Sequence, residues 1–167
     1  MTRRDIILKW IAYGVALAVI TLFNYYVLAP LPITTPLLLP VAAMAAGTLE
    51  NPKFGAGFGL ACGLLMFTLG HNSLICIPAL AAAGWLCSLA AHYVLRQDLV
   101  GCLISTVVLM ILWELIQVVS FRISTGAPLS LLFSIALPEL LWSLIFTCPV
   151  YWAARFCCVH YGRIYHE

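Results

Sequence analysis

Of the chain's 167 residues, 64% are hydrophobic and 8% are charged, and the mean hydropathy is +1.08. A soluble globular domain is about a quarter charged, so water is excluded as the solvent for most of this polypeptide. The formal net charge of +2 rests on so few basic side chains that topology accounts for them better than a nucleic-acid surface does.

A helix needs about 20 apolar residues to cross a hydrocarbon core of about 30 Å, and polar or turn-forming residues mark where the chain is cut. The first segment runs roughly from Ile6 to Leu28, after Arg3, Arg4 and Asp5. It is longer than the core of a cleavable signal, and no small-residue cleavage site follows, so it is expected to remain a permanent helix. Lys9, one turn inside, is expected to snorkel to the interface, and Asn24, Tyr25 and Tyr26 suit the opposite headgroup belt. Pro30, Pro32, Pro36 and Pro40 delay the second helix to about Pro36, from which it reaches Leu49. That is short for a crossing, and the segment reads either as a full span or, with the third, as a re-entrant hairpin.

Glu50, Asn51, Pro52 and Lys53 form a turn, and Phe54 to Gly70 forms a glycine-rich third helix ended by His71, Asn72 and Ser73. A fourth segment spans Leu74 to Leu95 and a fifth Leu99 to Phe121, with Arg96, Gln97 and Asp98 in the tight turn between them. After the loop from Arg122 to Pro128, the last apolar run extends from Leu131 to Val159, and Pro138 is expected at the first turn of its straight helix. Hydrophobic stretches recur without a polar block large enough to fold separately, so 1–167 reads as a single polytopic membrane domain of about six helices.

Short cytoplasmic loops carry an excess of Lys and Arg. With both ends inside, Arg3, Arg4, Lys9, Lys53, Arg96, Arg155 and Arg163 fall at the inner face and Arg122 alone outside. The inverted orientation would reverse that ratio.

Seven cysteines, Cys62, Cys76, Cys87, Cys102, Cys148, Cys157 and Cys158, lie mostly in apolar segments with no CxxC pair. They are read as packing residues. The histidines show no spacing that would gather them at one metal. No Walker loop, HExxH or GxSxG is present, and no catalytic residue, metal or cofactor is expected.

Two sets of residues remain as candidates. Ala56, Gly59, Gly63 and Gly70 recur at spacings of three, four and seven, a smooth stripe suited either to internal helix packing or to a partner's membrane helix. Ala79, Ala82, Ala83 and Gly84 slim the fourth segment similarly. Glu114 and Glu139 are ionisable residues inside membrane segments, which are costly there and functional by default. An antiparallel hairpin puts both roughly 12 Å below the outer end. Neighbouring carboxylates would share a proton, a cation, a partner's amine or a ligand. Alternatively, Glu139 is a first-turn carboxylate favoured by the helix dipole after Pro138. Gln117, one turn from Glu114, could donate a hydrogen bond to it.

A basic amino end, a proline-bearing second segment, the run GAGFGLACGLL from Gly55 to Leu65 followed by Leu69 and Gly70, and the closing LPELLWSLIFTCPVYWAARF from Leu137 to Phe156 together resemble the bacterial rod shape-determining MreD family over nearly the whole chain. Many members carry an aspartate directly after the GLL element; Met66 and Phe67 stand here instead, so that acid's role is not carried over. The resemblance implies a non-enzymatic scaffold of the cell-elongation complex in the bacterial plasma membrane, working with MreC and other rod-complex membrane proteins. The implied fold is all-α, with both ends inside, and similar to the substrate-binding S components of energy-coupling-factor vitamin transporters. Such an S component is itself the rival reading, with Glu114 and Glu139 lining a ligand pocket.

Overall fold

A computed structural model describes residues 3–28, 30, 36–69, 74–95, 97–126 and 128–160. Every regular element among them is helical: α1 (Arg3–Phe23, continued by a π-helical stretch over Asn24–Leu28), α2 (Leu38–Leu49), α3 (Pro52–Thr68), α4 (Cys76–Tyr93), α5 (Leu99–Thr125) and α6 (Leu129–His160). Four stretches, Ile6–Leu28, Cys76–Tyr93, Leu99–Val119 and Leu129–His160, are long and apolar enough to cross a membrane. The 12 residues of α2 rise only ~18 Å and the 17 of α3 ~26 Å.

Local chemistry sets the boundaries. α3 opens on Pro52, whose missing N–H costs nothing in a first turn, and Asn51 Oδ1 accepts from Phe54 N at 2.8 Å. α5 closes on Gly126, left-handed at φ 66°, whose N–H donates to Arg122 O at 2.9 Å. The last helix corrects the expectation of a start at Pro138. One helix of 32 residues holds both Pro138 and Pro149 in its interior. Its first turn is closed by Leu131 N and Leu132 N donating to Pro128 O, so Pro128, not Pro138, stands at the helix start.

Every residue of α2 is buried, and α1, α3, α4, α5 and α6 all pack on it. Ala42, Ala43, Ala45, Ala46 and Gly47 keep it slim enough for five neighbours. In lipid this close approach replaces the hydrophobic drive available in water. Outward, α1 exposes Ile7, Ile11, Val15, Val19 and Leu22, and α5 exposes Val100, Ile104, Val108, Leu112, Leu115 and Val119. Such long apolar stripes suit lipid contact.

Hydrogen bonds gather the chain's two helical ends at one end of the bundle. Tyr13 OH reaches Ala154 O at 3.2 Å, Ser88 Oγ donates to Glu50 O at 2.6 Å, and Tyr151 OH donates to Gln97 O at 3.4 Å. The start of α1, the α2–α3 turn, the end of α4, the start of α5 and the end of α6 therefore share this near end. Lys9, Lys53 and Arg155 lie toward it, and Arg122 lies toward the far end. Arg96 and Arg163 lie outside the described residues.

Candidate functional site

Glu114, Gln117 and Glu139 line one cavity of about 380 Å³ between α5 and α6, together with Leu37, Val118, Leu132, Ile135 and Ala136. Glu114 precedes the end of α5 by eleven residues and Glu139 follows the start of α6 by ten, which sets them ~17 and ~15 Å from the far end. They share a depth and line the same cavity. The first-turn reading of Glu139 fails, because α6 begins nearly three turns earlier and the helix N-terminus is too distant to favour its charge.

Glu114 is 8% exposed, and its Oε1 has no hydrogen-bond partner among the described residues. Gln117 therefore does not satisfy that oxygen. A smaller groove of about 140 Å³ shares Glu114, Val118 and Ala136 and is completed by Ile111, Leu115, Phe133, Leu137 and Leu140. At the cavity floor, Leu37 N donates to Ser143 Oγ at 2.9 Å, and Ser143 Oγ donates to Glu139 O at 2.7 Å. The short α2 thus begins just beneath the carboxylates, which leaves the space above it open between α5 and α6.

A second ionisable cluster lies at the near end. Lys9 is fully buried, and its Nζ stands 2.7 Å from Glu50 Oε2, with Tyr13 OH donating to Glu50 Oε1 at 2.9 Å. This corrects the expectation that Lys9 snorkels to the interface. The reason is the neighbour: Glu50, itself 4% exposed, closes the α2–α3 turn directly against α1. Lys9 and Tyr13 sit four residues apart on one helical face, so both reach the same carboxylate. Phe54 covers the group, its ring 5.7 Å from Lys9 Nζ and 5.0 Å from the Tyr13 ring. The sequence carried a signal for this pair, a lone lysine and a lone glutamate each beside an apolar run, but nothing in the spacing joins two residues 41 apart.

The glycine stripe is turned toward α4. A Cβ at Gly59 would collide with Leu80 O, and one at Gly63 would stand 2.7 Å from Ile77 Cα. Ala56 is only half-buried and lies off this seam; Gly55 takes its place, 2.7 Å from Gly84 O if given a Cβ. The spacing is thus four and four, with Gly59 and Gly63 as expected and only the first member shifted by one residue. Gly47 and Gly84 complete the contact between α2, α3 and α4. Gly70 lies outside the described residues. The seven cysteines are free thiols, six of them buried, and no group of three metal-ligating side chains forms among the described residues.

The class so defined is an all-helical protein with four helices fit to cross a membrane, an ion pair sealing one end and an acidic cavity near the other. Set against family models, curated proteins and solved structures, the chain matches none.

Proposed function

We propose that the chain is a non-enzymatic scaffold of the bacterial cell-elongation complex, embedded in the plasma membrane by six helices with its near end in the cytoplasm. The observation that carries the reading is the division of the bundle's surfaces. The small-residue seam is used up internally between α2, α3 and α4, whereas α1 and α5 keep unbroken apolar stripes outward. Those stripes suit other membrane helices as well as lipid, and the resemblance to MreD supplies MreC as the partner. Depletion in the native bacterium should give rounded, lysing cells, and an affinity-tagged chain should retain MreC. Normal shape after depletion, with no MreC retained, overturns the reading.

The cavity between α5 and α6 favours a second reading, an S component of an energy-coupling-factor transporter. At about 380 Å³, mostly apolar with three polar side chains, it falls in the range of small-molecule sites. Copurification of an ATPase module would support it.

A further inference from the structure

The cavity between α5 and α6 poses an unsolved charge problem. Glu114 Oε1 is buried without a partner among the described residues, and an unmade hydrogen bond of this kind costs ~1–3 kcal/mol, more when charged. A second carboxylate, Glu139, lines the same space. No Lys, Arg or His lines the cavity among the described residues. Lys9 is engaged by Glu50 at the near end, and Arg122 is exposed on α5 two turns farther out. A cation held between the two carboxylates would give that oxygen a partner and offset the charge.

The rest of the lining indicates which kind. A calcium ion takes six to eight oxygen ligands and magnesium an octahedron, but here two carboxylates and one carboxamide are surrounded by Leu37, Val118, Leu132, Ile135 and Ala136. Such walls suit a carbon skeleton. We propose that this cavity binds a protonated primary amine, whose ammonium group sits between the Glu114 and Glu139 carboxylates with Gln117 as a further polar contact.

Fifteen residues separate Glu114 from the start of α5, or ~23 Å, so with Leu99 at one edge of a ~30 Å hydrocarbon core the carboxylates lie within ~7 Å of the other. That depth is within reach of both a soluble amine and the amine of a lipid headgroup. The adjoining groove, with Leu115 and Leu137 exposed along it, leaves room for the apolar part of either. The inference assumes neither the scaffold nor the transporter role.

The test uses the full-length protein in phosphatidylglycerol nanodiscs, titrated calorimetrically with 2-phenylethylamine and with 2-phenylethanol as its neutral counterpart. In a second arm the discs contain phosphatidylethanolamine, and retained lipids are counted by native mass spectrometry. The amine should bind and the alcohol should not. Glu114→Gln and Glu139→Gln should each weaken amine binding about tenfold or more, with an unchanged unfolding midpoint. Ile116→Ala, on the exposed side of α5, should bind as the parent does. Retention of phosphatidylethanolamine over phosphatidylglycerol, lost in the same variants, assigns the amine to lipid; binding of the free amine alone assigns it to a small molecule. Should Glu114→Gln not fold, the less buried Glu139 carries the comparison. The proposal is overturned by equal affinity for amine and alcohol, by unaltered binding in the variants, or by affinities weaker than about 1 mM with no lipid preference. Retention of a lysine-bearing membrane helix in place of both amines also overturns it.

Discussion

Replacing Lys9 with methionine removes a cation but keeps an unbranched apolar stem in its place. The residue is fully buried, the Glu50 side chain is 1% exposed, and their charged atoms are 2.7 Å apart. After Lys9→Met the carboxylate would remain desolvated with Tyr13 OH as its one remaining partner in the triad. Stranding one member of a buried pair costs ~3–5 kcal/mol, whereas losing a solvent-exposed pair costs at most ~1 kcal/mol. The magnitude therefore separates a buried lock from a snorkelling lysine. Replacing both partners is cheaper: Lys9→Met with Glu50→Leu should recover most of the loss, because paired buried charges can often be exchanged for apolar groups. Tyr13 OH would still have Ala154 O, 3.2 Å away, as an acceptor. Equilibrium unfolding in mixed micelles, followed by tryptophan fluorescence, provides the double-mutant cycle. A single variant within ~1 kcal/mol of the parent, or single losses that simply add in the double, refutes the reasoning.

Gly59→Ala should destabilise by ~1–3 kcal/mol or more, since the new methyl meets the Leu80 backbone rather than a side chain that can move. Gly14→Ala, with nothing within 4 Å of the added carbon, should instead be neutral or gain up to ~1 kcal/mol by helix propensity, and the same unfolding assay reads both. Ser143→Ala should cost ~1–3 kcal/mol and speed amide exchange at Leu37, whose N–H loses its acceptor. Reporter tags after Asn72 and near Gly126 should both be on the extracytoplasmic side, with one after Lys53 in the cytosol; a cytosolic signal from both of the first two inverts the proposed orientation.

Periodicity and charge located the helices well, because lipid demands long apolar runs and polar turns interrupt them visibly. The structure breaks its helices within the expected turn at Glu50 to Lys53 and the expected loop at Arg122 to Pro128, but both are shorter than expected, because α3 already begins at Pro52 and α5 runs on to Thr125. Pro138 misled for a physical reason. In water a proline ten residues into an apolar run argues for a helix start, but inside a membrane bundle, neighbouring groups can satisfy the freed carbonyl and the helix continues. That Glu114 and Glu139 share a depth was legible from residue counting along two antiparallel helices, though both helices run past the expected loop and set them ~17 and ~15 Å from their ends rather than roughly 12 Å. The Lys9–Glu50 pair was not, because it depends on α1 lying against the α2–α3 turn, a tertiary fact with no local signature. The glycine seam was found at Gly59 and Gly63 but its first member was set one residue off, since both Ala56 and Gly55 are small and only the placement of α4, which leaves no room for a Cβ at Gly55, chooses between them.

The two ends of α2 are held unequally, and this bears on where the bundle can move. At the near end Glu50 joins Lys9 and Tyr13, Ser88 Oγ donates to Glu50 O, and Cys158 Sγ approaches Leu49 O at 3.8 Å. Beside them Gly55 and Gly84 bring two backbones nearly into contact. At the far end the hydrogen bond from Leu37 N to Ser143 Oγ joins α2 to α6, beneath a cavity that provides no packing. Local opening follows the lowest density of buried contacts. Among the described residues the near end of α2 has the denser set of ties, so opening between the far ends of α5 and α6 is expected to cost less than opening at the Lys9–Glu50 pair. Ser143 ties the start of α2 to the cavity wall, because its hydroxyl accepts from Leu37 N on one side and donates to the backbone carbonyl of Glu139 on the other.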